Sequence, residues 1–327
     1  MRILNRFLLL CGMMILAALI GGHLNRLHPA LDSLSHFRLH LAVVGVVLAL
    51  LLALLRNPLG AAALGVISIL SFGLTVWPSV STNKQATAAD GPTYRLVQAN
   101  LRFDNRTPEA FLRLVAQNRP DVIALQEVSD VWLPKLKAIN SAYPHQLFCP
   151  GTNRVGGVAI LSRRPFAQGG ISTCANAGAL AVQSVDFNGT KVTVTSVHLK
   201  WPWPHGQAQQ LAAMEARFRE IKAADSPTLI GGDLNATPWS QTAESIANAT
   251  ATQILPQWRG TWLLPVFPNA WVTFAGLPID NILSGGLTLQ SAKTLPDIGS
   301  DHRSILIEFS IAPTEKPTSE TSEAPAT

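Results

Sequence analysis

The chain has 327 residues, of which 47% are apolar and only 14% are charged, and this balance excludes a wholly water-soluble protein of ordinary composition. Its formal net charge of +5 suits an anionic partner, whether nucleic acid, phospholipid or another envelope phosphate, without distinguishing among them. We therefore expect part of the chain in a membrane, while the positive charge alone is also typical of a solvated surface.

Three uncharged apolar segments open the chain, at Phe7–Gly22, Leu41–Leu55 and Leu59–Val80. A helix that spans a membrane needs about 20 mostly apolar residues, a length that the third segment meets and that the first two reach with their polar flanks. We predict a three-span transmembrane anchor over residues 1–80. A cleaved signal peptide is the alternative for the first segment, but no clear small-residue cleavage site follows it and two more spans do.

The side of the membrane on which the rest of the chain lies depends on weaker signals. With the N-terminus inside, the flanking basic residues are equal in number on the two sides: Arg2, Arg6 and Arg56 inside, and Arg26, Arg38 and Lys84 outside. Cys149 and Cys174 are the only cysteines beyond the first span. Such a pair favours a disulfide in an oxidising compartment, with two buried free thiols as the alternative. We predict that the downstream domain lies outside the cytoplasmic membrane.

Two polar segments bound that domain. Residues 81–92 are predicted to be a linker, and residues 312–327, rich in Pro, Thr, Ser and Glu, a disordered tail. The intervening residues 93–311 are long enough for one sizeable α/β domain.

Within this domain, short apolar strands alternate with a few helices. Strands are predicted at Tyr94–Ala99, Asp121–Leu125, Gly157–Leu161, Ala179–Phe187, Lys191–His198, around Leu229, at Asp280–Leu283 and at Ser304–Phe309, and helices at Pro108–Asn118 and Gln207–Ala223. The segment between the Leu229 strand and Asp280 is predicted to be irregular. Polar residues recur at the ends of the strands, where ligands usually bind in α/β sheets.

The polar residues at these positions form a set rich in carboxylates and amides: Asn100, Glu127, His198, Asp233, Asn235, Asp280, Asp301 and His302. Oxygen-rich sets without a thiol suit a hard cation such as Mg²⁺, with Mn²⁺ as the alternative, better than zinc. Other catalytic signatures are missing, because the sequence contains neither Gly-x-Ser-x-Gly nor His-Glu-x-x-His, and the glycine-rich residues 151–157 lack the Lys-Ser/Thr of a phosphate loop.

Seven motifs, in their order along the chain, resemble those of the endonuclease/exonuclease/phosphatase (DNase I-like) superfamily. They are Gln98-Ala99-Asn100, Leu125-Gln126-Glu127, Gly157-Val158-Ala159-Ile160-Leu161-Ser162-Arg163, Ser196-Val197-His198-Leu199, Gly232-Asp233-Leu234-Asn235, Ile279-Asp280-Asn281-Ile282-Leu283 and Ser300-Asp301-His302. The resemblance extends from Tyr94 to about Phe309 and implies a four-layer sandwich of two mixed β-sheets flanked by helices. With three spans before it, the chain resembles membrane-anchored bacterial members, which implies the cytoplasmic (inner) membrane and a domain on its outer, periplasmic face.

The resemblance also implies a metal site. Glu127 would be the main ligand of Mg²⁺, assisted by Asn100 and Asp301, since this ion is usually held by one or two carboxylates and several waters. Arg102, two residues after Asn100, would contact the substrate phosphate.

Five further residues have implied roles in the chemistry. Asp233 would align or deprotonate the attacking water, and Asn235 would orient it. Asp280 would orient and charge His302, which would contact the phosphoryl oxygens, and His198 would contact the same phosphate from another side. Positioning and charge neutralisation are what phosphoryl hydrolysis most needs.

We expect a divalent-metal-dependent phosphoesterase that hydrolyses a phosphate mono- or diester in a lipid-linked or envelope substrate. The alternatives are a membrane-tethered endonuclease or exonuclease and a non-catalytic phosphate-binding module on the same fold. Nucleic acid is the less favoured partner, because DNase-like nucleases carry a second acid between the Glu127 and His198 motifs, where this chain has Asn153 and Arg154. The tryptophans after His198 and after Asn235 would stack on bases, line a rim at the bilayer or fill the core, and the anchor favours the rim.

Overall fold

The structure is a computed structural model that describes residues 2–81 and 91–311. It begins with four helices, α1 (Arg2–His23), α2 (Pro29–Ser35), α3 (Arg38–Leu54) and α4 (Pro58–Ser81). Two of them, α1 and α4, are long and apolar enough to cross a membrane, and α2 with α3, bent by 62°, would supply a third crossing if the pair is one span. The predicted tail 312–327 and most of the predicted linker 81–92 lie outside the described residues.

Residues 91–311 form two six-stranded sheets that pack face to face. The first has the order β11 (Thr288–Thr294), β12 (Ile305–Ser310), β1 (Tyr94–Asn100), β2 (Val122–Val128), β4 (Gly157–Ser162) and β3 (His145–Cys149). The second has the order β5 (Ser172–Ala175), β6 (Leu180–Phe187), β7 (Thr190–His198), β8 (Thr228–Asp233), β10 (Asp280–Gly285) and β9 (Gln253–Ile254). Each sheet contains one parallel pair, β1 with β2 and β7 with β8, among antiparallel neighbours. The predicted sandwich of two mixed sheets is confirmed.

Helices cover the outer face of each sheet. On the first sheet lie α5 (Pro108–Asn118), which joins β1 to β2, and α6 (Leu133–Ala138). On the second lie α7 (Gln207–Ala223), which joins β7 to β8, and α8 (Gln241–Thr250). The four-residue α9 (Val272–Ala275) precedes β10. The predicted bounds of α5 and α7 are confirmed.

The core has three layers because side chains alternate along the buried strands. Leu96 of β1 packs between the two sheets, whereas its neighbour Val97 packs against Phe111 in the layer below α5. Burial of one such side chain contributes roughly 1.5–3 kcal/mol. Strands buried on both faces therefore read as continuous apolar runs, as β4 and β8 do in the sequence.

The sequence does not predict several short elements, namely α2, α6, α8, β3, β5, β9 and β11. The helix α8 shows why. Its ten residues contain one large apolar side chain, Ile246, and the rest of its buried face is made of small or polar residues, namely Thr242, Ala243, Ala247 and Thr250. The helix instead begins at a capping side chain, Ser240, whose Oγ accepts a hydrogen bond from the backbone nitrogen of Ala243 at 3.1 Å.

Cys149 of β3 and Cys174 of β5 form a disulfide, with their Cα atoms 5.4 Å apart. These two strands are edge strands of different sheets, so the bond joins the sheets along one side of the sandwich. The alternative of two free thiols is therefore wrong for this pair. Cys11 in α1 is a free cysteine.

Candidate active site

Strand pairing brings the predicted site residues to one end of the sandwich. In the second sheet, His198 at the end of β7 lies opposite Asp233 at the end of β8, and Asp233 lies opposite Asp280 at the start of β10. In the first sheet, Asn100 at the end of β1 lies opposite Gln126 of β2. The carboxyl ends of the two parallel pairs therefore meet at the same end of the molecule, where ligands usually bind.

Two glycines let the backbones approach closely just before Asp233. A Cβ atom on Gly231 would lie 3.2 Å from Cβ of Gln98 on the facing sheet, so a larger residue would push the sheets apart. A Cβ atom on Gly232 would collide with the carbonyl oxygen of Val197 on β7. The Gly-Gly pair is thus explained by close packing.

A buried imidazole and carboxylate form the floor of the site. Nδ1 of His302 lies 2.8 Å from Oδ2 of Asp280, and both side chains are almost fully excluded from solvent. Nε2 of Gln98 donates to Oδ1 of Asp280 at 2.8 Å, so both oxygens of this carboxylate have partners. Burial lowers the pKa of His302, but the charges of Asp280 and Asp233 outweigh burial and raise the pKa to about 10. His302 is therefore an imidazolium at neutral pH.

Asp233 lies at the centre of the site and is only 1% exposed. Its Oδ2 accepts a hydrogen bond from Nδ2 of Asn100 at 2.9 Å and lies 3.6 Å from Nε2 of His198 and 3.7 Å from Nε2 of His302. Burial, together with the charge of Asp280, raises the pKa of Asp233 to about 6, although the two histidines oppose the rise. The carboxylate is therefore ionised at neutral pH and has a pKa close to that pH.

Glu127 and Asn100 form the opposite wall. Nδ2 of Asn100 donates to Oε1 of Glu127 at 3.1 Å, and the backbone nitrogen of Phe103 donates to Oε2 at 2.9 Å. Glu127 has a φ of 57° and lies at an irregularity in the pairing of β2 with β4 between Leu125 and Val128. Few non-glycine residues adopt this conformation. The bulge turns Glu127 out of the regular alternation of the strand and towards the site.

Asn235 places an unsatisfied acceptor beside Asp233. Its backbone nitrogen donates to Oδ1 of Asp233 at 2.9 Å, and its Nδ2 donates to the carbonyl oxygen of Leu199 at 2.8 Å. Its Oδ1 is buried and accepts no hydrogen bond from the described residues. A buried polar atom without a partner costs about 1–3 kcal/mol, so this oxygen is suited to a bound water or a donor on the substrate.

Arg102 and Asp301 lie on the more open side of the site. Nε of Arg102 donates to Oδ1 of Asp104 at 2.8 Å. This bond raises the pKa of Arg102, and the nearby charges of Asp301 and Glu127 raise it further. Oδ2 of Asp301 accepts a hydrogen bond from Nε1 of Trp262 at 3.2 Å. All the predicted site residues are thus at one end of the sandwich, and the guanidinium of Arg102 is partly engaged by Asp104.

The chain matches the model of the Endonuclease/Exonuclease/phosphatase family over residues 97–302, which is more than half of its length. The protein belongs to this family. The matched range includes every predicted site residue, from Asn100 to His302.

Solved structures share the family fold at low sequence identity. The D. rerio TDP2 humanized by 14 mutations is 19% identical and has a TM-score of 0.53, and the match covers 67% of this chain and 99% of that one. The human Nocturnin catalytic domain with bound sulfate is 17% identical, with a TM-score of 0.52 and coverage of 69% and 97%. The endonuclease/exonuclease/phosphatase from Beutenbergia cavernae is 17% identical, with a TM-score of 0.53 and coverage of 68% and 72%. A comparison with curated proteins finds no match.

This family member offers two places for a cation. Ligand atoms of Asp233, Asp280 and His302 all lie within 4.8 Å of one another, but Nδ1 of His302 and Oδ2 of Asp280 are already bonded to each other. The half-buried carboxylate of Glu127 is the better place, since hard cations prefer oxygen ligands that keep access to water. Asn100 directs its NH₂ group towards Glu127, while its Oδ1 accepts a hydrogen bond from the backbone nitrogen of Arg102, so Asn100 would ligate a cation at Glu127 only with its amide turned over.

Three buried polar residues beneath the site were not predicted to be part of it. Nε2 of Gln98 donates to Oε1 of Gln126 at 2.7 Å as well as to Asp280, and Nε2 of Gln126 donates to Oγ of Ser196 at 2.8 Å. The bonds to Asp280 and Ser196 link the two sheets. Their signal in the sequence is a glutamine within each of the apolar strands β1 and β2, because an uncharged amide in such a strand needs a buried partner.

The first residues of α8, and Trp239 just before it, contact the N-terminal helices. Oδ1 of Asp32 in α2 accepts a hydrogen bond from the backbone nitrogen of Gln241 at 2.7 Å, and Oδ2 accepts one from that of Thr242 at 3.1 Å. Nε1 of Trp239 donates to the carbonyl oxygen of Ser35 at 2.7 Å. The polar turn of the N-terminal helices therefore packs against the end of the sandwich that carries the site.

Proposed function

We propose that the protein is a divalent-metal-dependent phosphoesterase that hydrolyses a phosphate mono- or diester, with Mg²⁺, or Mn²⁺ in its place, bound near Glu127. The observation that carries the proposal is the position of the Asp233 carboxylate, whose Oδ2 lies 3.6 Å from Nε2 of His198 and 3.7 Å from Nε2 of His302, beside the unpartnered Oδ1 of Asn235. Attack of water on a phosphate requires a base, a charged hydrogen-bond donor and an acceptor that orients the water, and these three groups meet here.

Each residue has a defined task in this scheme. Asp233 accepts a proton from the water that Oδ1 of Asn235 holds in place. His302 and His198 donate hydrogen bonds to the phosphoryl oxygens, and Asp280 keeps His302 protonated and fixed in orientation. Glu127, Asn100 and Asp301 would hold the cation, which would neutralise charge on the phosphoryl group and the leaving oxygen.

We also propose that the substrate is a lipid-linked or envelope phosphate and that the site lies on the outer, periplasmic face of a bacterial cytoplasmic membrane. The apolar N-terminal helices and the Cys149–Cys174 disulfide support this location. The surroundings of the site support a lipid. Trp201 and Trp262 pack edge to face at 5.0 Å, and Trp201 and Trp203 are both exposed. The ring of Trp203 lies edge to face with that of His28, just before α2, with 6.4 Å between their centroids.

The test is a substrate panel with the full-length protein in lipid–detergent micelles. Lipid phosphate monoesters, phosphodiesters, DNA and RNA are compared with Mg²⁺, with Mn²⁺ and with chelator. We expect lipid phosphates to be hydrolysed fastest, with activity lost on chelation and in Asp233→Asn. Asp225→Asn is the matched control, because Asp225 is an exposed acid before the opposite end of the same strand.

Other outcomes would contradict the proposal. Faster cleavage of DNA or RNA would indicate a membrane-tethered nuclease, with strongly salt-dependent binding. Phosphate binding that survives chelation, without turnover of any substrate, would indicate a non-catalytic binding module.

A further inference from the structure

Residues 263–275, hereafter the apolar loop, lie between β9 and β10 and present large apolar side chains to solvent. No charged residue occurs from Gly260 to Ile279. Val266 is 82% exposed and Phe274 is 80% exposed. Three more exposed apolar side chains belong to the loop: Leu264, Phe267 and Trp271. A continuous apolar surface of this kind marks contact with a protein or a membrane.

A hydrogen bond places the apolar loop beside the membrane anchor. Nε2 of His40 donates to the carbonyl oxygen of Ala275 at 3.0 Å, and Ala275 directly follows the exposed Phe274. His40 lies in the first turn of α3, immediately before the uncharged run that begins at Leu41. The loop therefore lies at the level where α3 would enter the bilayer, the interfacial layer in which Trp side chains are enriched.

The base of the apolar loop is attached to the active site. Trp262, just before the loop, donates from Nε1 to Asp301 and pairs through its backbone with Leu277. Oγ1 of Thr261 accepts hydrogen bonds from the backbone nitrogens of Ile279 and Asp280, at 3.2 and 3.1 Å. The two ends of the apolar loop are thus held together beside the site residues, and the end at Ala275 also contacts the anchor.

We propose that the apolar loop inserts into the interfacial layer of the bilayer that holds α1, α3 and α4. A lipid whose phosphate reaches Asp233 would then keep its acyl chains in the membrane, next to Val266 and Phe274. The exposed side chains of the apolar loop contact lipid rather than a second protein, because the loop contacts α3 just before the residues of this helix that would lie in the membrane. The statement about the substrate rests on the proposed function, whereas insertion of the loop does not.

The depth of the apolar loop is measured in phosphatidylcholine nanodiscs with a nitroxide on Phe274→Cys. The full chain carries Cys11→Ser, which leaves only the disulfide-bonded pair as native cysteines. The control is a nitroxide on Ala224→Cys, an exposed site at the far end of the 17-residue helix α7, roughly 25 Å from its start. We expect dissolved oxygen to relax the label at 274 more than a water-soluble nickel chelate does, and the reverse at 224. Equal relaxation by the nickel chelate at both positions would overturn insertion.

An activity measurement then tests the lipid route. We expect Val266→Ser with Phe274→Ser to lower turnover of a lipid phosphate in vesicles by about 5-fold, since interfacial binding scales with buried apolar area. Turnover of a water-soluble aryl phosphate should be unchanged. Equal loss on both substrates would contradict the route. If the unsubstituted protein hydrolyses neither the lipid phosphate nor the aryl phosphate, the proposed function fails. The depth of the nitroxide at position 274 still decides whether the loop inserts.

A separate observation concerns a chain of buried hydrogen bonds from the anchor to the site. The hydroxyl of Thr242 shares its one proton between two acceptors, Oδ2 of Asp32 at 2.9 Å and Oε1 of Gln207 at 3.1 Å. Nε2 of Gln207 donates to the carbonyl oxygens of Leu234 and Asn235, at 3.0 and 3.2 Å. Asp32, Thr242 and Gln207 are each more than nine-tenths buried.

We infer from this chain that Asp32, a residue of the anchor, is a positioning residue for the catalytic segment. Its carboxylate binds the first turn of α8, and Thr242 and Gln207 extend the contact to the backbone that carries Asp233 and Asn235. The anchor then contributes to the alignment of the base as well as to attachment. Because all these groups are buried, each lost bond costs more than one exposed to water.

The test compares Thr242→Val, which removes the hydroxyl and keeps the shape, with Thr242→Ser, which keeps the hydroxyl. We expect Thr242→Val to lower kcat by about 5-fold, the effect of losing roughly 1 kcal/mol of alignment, with KM unchanged and with faster hydrogen exchange at the Asn235 amide. Thr242→Ser should restore both. Equal kcat and equal exchange in the two variants would overturn the inference. If no substrate is turned over, hydrogen exchange at the Asn235 amide by itself decides whether the inference holds.

Discussion

The two parallel strand pairs of the sandwich have the same construction and carry different chemistry. β1 and β2, joined by α5, end in Asn100 and Glu127, whereas β7 and β8, joined by α7, end in His198 and Asp233. Glu127 is half-buried and bulged towards the open side, while Asp233 is 1% exposed and has a pKa raised to about 6. The two carboxylates therefore differ through their burial and not through the topology of their strands. The more accessible Glu127 suits a cation, and the buried Asp233 suits proton transfer.

The first prediction removes the buried acid. Asp233→Asn keeps the shape and the acceptor for the Asn235 nitrogen but cannot take a proton, so we expect kcat to fall by about 10³-fold. Steady-state turnover of the best substrate measures the effect, with Asp225→Asn as the control that should retain full activity. A loss below about 10-fold would mean that Asp233 is not the base.

The second prediction concerns the charge on His302. Asp280→Asn removes the carboxylate that keeps the imidazole protonated, so the pKa of His302 should fall below its present value of about 10. We expect kcat to decrease by about 10²-fold through loss of a charged donor. Titration of the imidazole by NMR, beside the kinetics, separates this cause from misfolding. An unchanged titration would contradict it.

The third prediction tests Glu127 as the ligand of the cation. Glu127→Gln keeps the acceptor for the Phe103 nitrogen but removes the charge, so Mg²⁺ should bind about 10- to 100-fold more weakly. Calorimetric titration with Mg²⁺ measures the change, and excess Mg²⁺ should recover part of kcat. Glu109→Gln on the exposed side of α5 is the control for loss of one acidic group. Equal affinity in the two variants would argue against Glu127 as the ligand.

The smallest expected effect belongs to Arg102. Its guanidinium is shared with Asp104 and remains partly exposed, so its contribution to phosphate binding is screened by water. We expect Arg102→Ala to raise KM by about 3-fold and to leave kcat nearly unchanged. If Arg102→Ala instead lowered kcat as much as Asp233→Asn does, Arg102 would take part in the chemical step and not only in phosphate binding.

Much of the fold and the composition of the site follow from local patterns. The apolar runs that end in Asn100 and Asp233 mark buried strands, and the period of α5 and α7 gives both helices at their observed bounds. Local patterns do not predict α8, whose start depends on Ser240 and on Asp32, a residue about two hundred positions earlier. They also do not predict Gln98 as a partner of Asp280, because the two lie 182 positions apart in different sheets.

The sequence by itself determined which residues are present at the strand ends and that apolar helices precede them, because both depend on residue type and short-range spacing. Only the tertiary structure decided that Asp233 is buried between two histidines, that a bulge turns Glu127 outward, and that Asp32 of the anchor caps α8. Burial and charge at a given atom depend on neighbours that are distant in the chain, and these long-range contacts set the pKa of each group. The segment Gly231-Gly232-Asp233 shows both contributions. Its residue types predict the end of a strand, and its packing against the facing sheet buries the Asp233 carboxylate.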